Sequence, residues 1–425
     1  TSEEGGGGGG GGVLLGRSQH LSGAGSAGVD VRGRFADAPF DLGRCDIIVD
    51  KPVYLFTLAF QVGHLIVDGL EGLFNTMRGN EALPGFRNGS DVYLVLDAIG
   101  EDLRISLAKG LLEQTCSDTP FSMLRLFTEH PIYTFSALQN VPGRVCFGKG
   151  LYIGLNISHS YYAHGYDFHP SLANLDSYQD RLIAGNYKDF HGFLHQKLGL
   201  GDSNLHALHN QASKQITYIQ RTRNRFIENE RELLLVIQNT MNLGSWEPDS
   251  GFEFNIAQLE SMKFSDQVAL LQKTSILVSQ WGTGAHNVLF LPYGAALILM
   301  VHPGFCDWSW AYANQAFFSG IHTYILCDEP SPQNIYQYAW AKKGHVAFPW
   351  EVTPSNATIC LTAFQRLLSE SILVTKNHRI AQRPLDVKAV VRRLLYKPNP
   401  RQDSLLPRIN CGDGYLPSEA AWVRL

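Results

Sequence analysis

The sequence predicts an α/β fold, and three observations lead there. Short apolar, β-prone runs alternate with helical patterns from Ser213 to Cys327. Within that region Ser275–His302 reads as strand, glycine turn, short helix and strand, the unit from which doubly wound parallel sheets are built. The chain has 425 residues, more than one ordinary core holds, so two domains are expected.

Each element of the central stretch has a physical reason. Ser275–Gln280 is an apolar, β-prone run of the kind buried in a parallel sheet. Gly282 and Gly284 bracket a sharp turn where a Cβ would obstruct the backbone or an approaching ligand. Ala285–Leu291 is expected to form about two helical turns, Pro292–Gly294 to stop them, and Ala295–His302 to return as a second strand. A turn at the carboxyl end of a strand that opens a helix is where open α/β sheets bind ligands, and its free N–H groups favour a phosphate.

Composition narrows the classes. The chain is 44% hydrophobic, 11% aromatic and 17% charged, as in globular proteins, and its formal net charge of −4 offers no broad attraction to nucleic acid or membrane surfaces. No nucleic-acid partner is expected. No run reaches the roughly 18 apolar residues of a membrane helix. The chain opens on Thr1 rather than Met and is read as a fragment, so the absence of a targeting segment is uninformative and leaves room for a signal or membrane anchor outside it. Seven cysteines form no CxxC pair. Acceptor sequons at Asn88, Asn156 and Asn356 point mildly to the secretory pathway, where an odd cysteine count leaves one thiol free or paired elsewhere. Cys306 and Cys327, near strand ends of one domain, are a candidate disulfide.

In chain order, residues 1–35 are a glycine-rich leader expected to be disordered. CDIIVD and PVYLFTLAF then read as strands. Residues 60–78 keep helical spacing through Val62, Leu65, Ile66, Leu70 and Leu73, and His64 and Asp68 fall four apart on one face. That pair reads either as a general base for an acceptor hydroxyl, with Asp68 alone or His64 oriented by it, or as a solvated helix-stabilising pair. The strand candidate DVYLVLD, the helix DLRISLAKGLLEQ and further apolar runs suggest one sheet through residue 155. Between 159 and 209 seven histidines lack any compact ligand spacing. His164, His169 and His191 are therefore expected to be hydrogen-bonding loop residues, with an amphipathic helix near Tyr187–Leu198 and no metal site.

QITYIQ is a strand, and Arg221, Arg223 and Arg225 lie between it and the helix that follows. Asn229 and Glu232 make a capping-box pattern for that helix, with Gly244 as its stop. The arginines read either as a phosphate grip at a helix start or as a solvated basic turn. FEFN is a further strand, Ser265 is the expected cap of helix 265–274, and GIHTYILC is the next strand. Beyond it, helices are expected at 362–375 and 387–397.

These residues resemble glycosyltransferase family 61, which includes secretory-pathway O-GlcNAc transferases and plant xylosyl- and arabinosyltransferases. The family pattern has a His-Gly-Ala-Gly turn, then Asn or His, then Leu-Phe-Leu-Pro; Gly282, Gly284, Asn287 and Leu289–Pro292 match it. Its arginine motif matches Arg221, Arg225, Asn229 and Glu230, and its His-x-x-x-Asp matches His64 and Asp68. The motifs together span roughly residues 50–330.

The resemblance implies a GT-B-like architecture, two Rossmann-like domains with an intervening cleft. The expected divisions are an acceptor-side domain over 40–210, a nucleotide-sugar domain over 211–335 and a helical extension over 336–425. It implies inverting transfer from a UDP-sugar to a hydroxyl of a glycan or glycoprotein in the Golgi or endoplasmic reticulum lumen, with no essential cofactor or metal. Asp68, or His64, would be the base, and Arg221 and Arg225 would neutralise the diphosphate. Trp281, Gly282, Thr283, Gly284, His286 and Asn287 would complete the donor site. One departure is Trp281, which stands where the family has histidine; it leaves open a stacking role, a weakened enzyme, or a degenerate relative that binds glycan or partner without transferring sugar. Thr283 also replaces the family's alanine, and His286, one turn along, is a candidate to compensate for the lost histidine.

Overall fold

A computed structural model describes residues 45–58, 63, 65–79, 91–98, 114–134, 142–148, 151–153, 178–200, 214–222, 226–243, 251–301, 312, 315–316, 319–327 and 357–376. The chain divides into two compact units, Thr1–Ser158 and His159–Leu425.

In the first unit, β2 (Val53–Leu58), β3 (Tyr93–Ala98), β4 (Ile132–Thr134) and β6 (Leu151–Ile153) form an all-parallel sheet in the order β4-β3-β2-β6. Consecutive residues Val53, Tyr54 and Leu55 are all buried, as expected of an inner parallel strand covered on both faces. The strands β1 (Ile47–Val49) and β5 (Val145–Phe147) pair separately, so the single sheet expected through residue 155 is two sheets among the described residues. A disulfide between Cys45 and Cys146 staples this pair across a separation of 101 residues. Closing a loop that long removes roughly 4–5 kcal/mol of unfolded-chain entropy on the chain-entropy account.

After β2 the chain forms a π-helical turn, Leu65–Leu70, and then helix α1, Glu71–Gly79. Leu65, Ile66, Leu70 and Leu73 are buried, as their spacing predicts. The regular α-helix expected there gives way to a wider turn because Gly63, Gly69 and Gly72 each weaken α-helical propensity.

The second unit carries a five-stranded all-parallel sheet of β7 (Gln215–Ile219), β8 (Glu253–Ala257), β9 (Thr274–Gln280), β10 (Ala296–Val301) and β11 (His322–Cys327). Its order, β8-β7-β9-β10-β11, is that of a doubly wound fold. From β7 the chain first winds to β8 on one side and then crosses back to β9 on the other, so the connections leaving β7 and β9 diverge. Helix α2 (Tyr178–Lys197) precedes the sheet, α3 (Glu230–Leu243) follows β7, α4 (Phe264–Gln272) follows β8, and α5 (Leu361–Lys376) closes the described part.

The core lies on the face under α3 and α5. Ile216, Tyr218, Ile276, Val278, Ile298 and Met300 pack there against Leu233 and Ile237 of α3 and Phe364, Leu367 and Leu368 of α5. Each fully buried aliphatic side chain contributes about 1.5–3 kcal/mol.

Local caps differ from the sequence pattern in two places. Asn229 does not close a capping box with Glu232: its Nδ2 donates to the Ile359 carbonyl at 2.8 Å, and its Oδ1 accepts from the Ile359 N–H at 2.9 Å. Together with a parallel bridge between Ile227 and Ala357, this ties the start of α5 to the start of α3. Ser265 lies inside α4, whose N-cap is Lys263 without a side-chain capping bond. Gly244 and the helix expected at 387–397 lie outside the described residues.

Candidate active site

The switch point between β7 and β9 is where a doubly wound sheet opens a crevice at its carboxyl edge. Arg221 leaves the end of β7 and Trp281 leaves the end of β9. The Arg221 Nη1 donates to the Trp281 carbonyl oxygen at 3.2 Å, so the two connections meet at that edge. Arg221 is half-buried. Burial pulls its guanidinium below the ordinary value, while Glu260 and Tyr312 push it back up, and it stays charged at neutral pH. A half-desolvated guanidinium in a crevice is a strong partner for a diphosphate.

The turn after β9 is built from backbone. Trp281 N–H donates to the Met300 carbonyl at 2.7 Å, which holds the end of β9 against β10. Gly282 then has φ +135, a conformation that L side chains rarely adopt, and caps a 3-10 helix over Thr283–Phe290. Gly284 differs: an added Cβ would meet Ile219 Cγ2 at 3.6 Å and Ser279 Oγ at 3.8 Å, ordinary contacts. The fold therefore requires glycine at 282 and tolerates a methyl at 284. Thr283 and Gly284 are half-exposed in the first turn, where helical N–H groups lack intrahelical acceptors.

The rest of the turn faces inward. Asn287 Nδ2 donates to the Gly284 carbonyl at 3.1 Å, and His286 Nδ1 donates to Gln315 Oε1 at 2.8 Å. Both side chains are buried and shape the turn. The Trp281 indole is 9% exposed and meets the ring of Tyr312 edge-on at 6.1 Å, while His286 lies 4.5 Å from the same ring. From behind, His195 of α2 donates to the Leu289 carbonyl at 3.0 Å and Gln272 of α4 donates to the Phe290 carbonyl.

His191, expected in a loop, is a buried residue of α2 whose ring lies 4.0 Å from that of His195. Burial, reinforced by His195 and partly offset by the Leu291 backbone, pulls it down to about 3, so it is neutral at physiological pH. These histidines support the turn.

The start of α3 is not a bare positive end. Glu230, its first residue, accepts from Tyr218 Oη at 2.7 Å and Gln220 Nε2 at 2.9 Å, and Gln258 Nε2 donates to Gln220 Oε1 at 2.9 Å. That fixed negative charge disfavours a phosphate at the tip of α3 and leaves Arg221 and the 3-10 turn as the electropositive part of the edge. Sequence reasoning missed this network, because nothing in the spacing of Tyr218, Gln220, Glu230 and Gln258 marks it.

Two expected site residues, His64 and Arg225, lie outside the described residues, as do Arg223, His164, His169 and Cys306 of the proposed disulfide. Asp68 lies on the π-helical turn of the first unit. The four-residue spacing argument for His64 and Asp68 presupposed an α-helix, and that turn is wider. Cys360 is disulfide-bonded, and Cys116 is an exposed free thiol. Among the described residues no group of three or more His, Cys, Asp or Glu could hold a metal ion, and no helix is long and apolar enough to cross a membrane.

The glycosyltransferase 61 profile matches residues 62–298, more than half of the chain. The chain belongs to glycosyltransferase family 61. Protein O-linked-mannose β-1,4-N-acetylglucosaminyltransferase 2 of Xenopus laevis is 32% identical over 164 residues, 38% of this chain and 25% of the relative. The same protein of Bos taurus is 26% identical over 296 residues, 68% of this chain and 42% of the relative. The EGF domain-specific O-linked N-acetylglucosamine transferase of Drosophila melanogaster is 23% identical over 316 residues, 72% of this chain and 52% of the relative. The matched part thus spans between a quarter and about half the length of these relatives.

Proposed function

We propose that this family 61 member is an inverting glycosyltransferase that moves a sugar from a UDP-sugar to a hydroxyl of a glycan or glycoprotein. The observation that carries the reading is the meeting of Arg221 with the Trp281–Gly284 turn at the switch point of a doubly wound sheet. In this reading the diphosphate lies against Arg221 and the half-exposed start of the 3-10 turn, and Arg225 adds a second cation. Asp68, alone or through His64, takes the proton of the acceptor hydroxyl as its oxygen attacks the anomeric carbon. UDP leaves from the opposite face, and the arginines stabilise its charge. The two units act as the Rossmann-like halves of a GT-B enzyme, without an essential metal.

A glycan or glycoprotein acceptor is supported by the relatives, one named for O-linked mannose and another for EGF domains. The Golgi or endoplasmic reticulum lumen is the proposed location. A stapled Cys45–Cys146 pair suits that oxidising compartment.

A second reading, a relative that binds glycan or a partner protein without transfer, is favoured by Trp281. Its indole packs against Tyr312 where the family pattern has an ionisable histidine. UDP binding and UDP-sugar turnover with glycoprotein acceptors separate the readings. Binding with turnover supports the enzyme, binding without turnover on any acceptor supports the second reading, and no binding overturns the donor assignment.

A further inference from the structure

Glu260 stands one strand away from Arg221 on the same edge. It lies in the short 3-10 turn Leu259–Ser261 that follows β8, the neighbour of β7 on the side away from β9. Adjacent strands are about 4.8 Å apart, so the turn after β8 lies one such step sideways from the end of β7. The two strand ends are locked together, because Gln220 N–H donates to the Ala257 carbonyl at 2.9 Å and Gln258 Nε2 donates to Gln220 Oε1.

Glu260 is exposed, yet its carboxylate is held in place. Thr222 grips Oε1 twice, with Oγ1 donating at 2.5 Å and the backbone N–H at 3.3 Å. Burial raises the carboxyl's pKa, but the Thr222 bonds, its own backbone N–H and the nearby Arg221 charge outweigh that and hold it below the usual range. It is therefore an ionised acceptor at any physiological pH.

An ionised, oriented carboxylate beside a diphosphate site repels phosphate and suits hydroxyl donors. In doubly wound sheets a carboxylate near the end of the second strand is placed to accept from ribose hydroxyls when the diphosphate lies at the first turn. Here β7 is the first strand and β8 the second.

We propose that Glu260, set by Thr222, accepts a hydrogen bond from the ribose 2′-hydroxyl of the donor nucleotide and makes the site selective for ribonucleotides. The inference rests on the reading of the crevice as a UDP-sugar site. Sequence alone left Glu260 unmarked, because it lies outside the three family motifs.

The test is calorimetric binding of UDP and of its 2′-deoxy analogue dUDP to the full chain, to Glu260→Ala and to Glu260→Gln, with melting curves as the folding check. Wild type should bind UDP about tenfold or more tighter than dUDP, the scale of a hydrogen bond to a charged group. Both variants should lower that ratio toward one, and because the ratio is taken within each protein, the relief of phosphate repulsion common to UDP and dUDP cancels. The conservative amide keeps the shape of the turn, so it reads the charge separately from any local collapse in the alanine variant. An unchanged UDP-to-dUDP ratio in both variants, or a wild type that does not discriminate, overturns the assignment of Glu260. Failure of wild type to bind either nucleotide overturns the donor reading itself.

Discussion

The turn after β2 in the first unit and the turn after β9 in the second hold comparable places at the end of an inner parallel strand, and they leave ideal α-helix in opposite directions. The first widens into the π-helical turn Leu65–Leu70, which carries Asp68. The second tightens into the 3-10 helix Thr283–Phe290. Gly63, Gly69 and Gly72 let the first relax, whereas Gly282 forces the second through a positive φ and then buries Ala285–Phe290 completely. The tight turn is braced by α2 and α4 through His195 and Gln272. What it offers a ligand is backbone N–H and the neighbouring Arg221. The wide turn instead carries Asp68, the base in the proposed function. The proposed function assigns them a division of labour in which one turn holds the diphosphate and the other carries the base.

That division can be broken from either side. The largest effect is expected on the first turn: Asp68→Asn should lower kcat by about 10²–10⁴ and leave UDP affinity within about twofold, measured by turnover and calorimetry on one preparation. An equal loss of UDP binding would place Asp68 in donor binding instead. On the second turn the two glycines should behave differently. Gly282→Ala forces a side chain into a positive φ at about 1–3 kcal/mol, read as a lower Tm together with weaker UDP binding. Gly284→Ala should leave Tm nearly unchanged, since its Cβ meets only ordinary contacts, and weaken UDP alone. A lower Tm for Gly284→Ala would show that the fold, and not the ligand, needs that glycine.

The smallest effect concerns the brace. His191 is held near 3 in the folded state, well below the usual 6.5, by burial first and then by the charge of His195. The unfolded chain therefore binds more protons than the folded one between those values, and stability should fall as pH drops from about 6.5 toward 3. Melting curves across that window should show the loss, and His191→Gln should reduce it, leaving the share of His195 and His322, which burial also pulls down. A pH dependence that survives the substitution unchanged would remove His191 as its source.

The sheet of the second unit was legible because its strands are short β-prone runs around an apolar centre with sharp punctuation: Thr274–Gln280 and Ala296–Val301 lie where the sequence puts them, within one residue. The turn was legible for the same reason, since Gly282 and Pro292 mark its limits. What escaped was side-chain partnership across long separations. Asn229 has a local capping partner available in Glu232 but bonds Ile359, 130 residues away. Glu230, Gln220 and Gln258 meet only because β7 and β8 pair, and Thr222 and Glu260 likewise. The π-helical turn escaped because hydrophobic spacing alone does not distinguish four-residue from five-residue hydrogen bonding over so short a stretch.

The central claim, that the diphosphate lies against Arg221 at the switch point, is tested most directly by UDP binding to wild type and Arg221→Ala. Removing a charge-assisted, half-buried contact should weaken UDP by about 10–100-fold while Tm stays within a few degrees. Equal affinity of the two proteins for UDP would contradict the account.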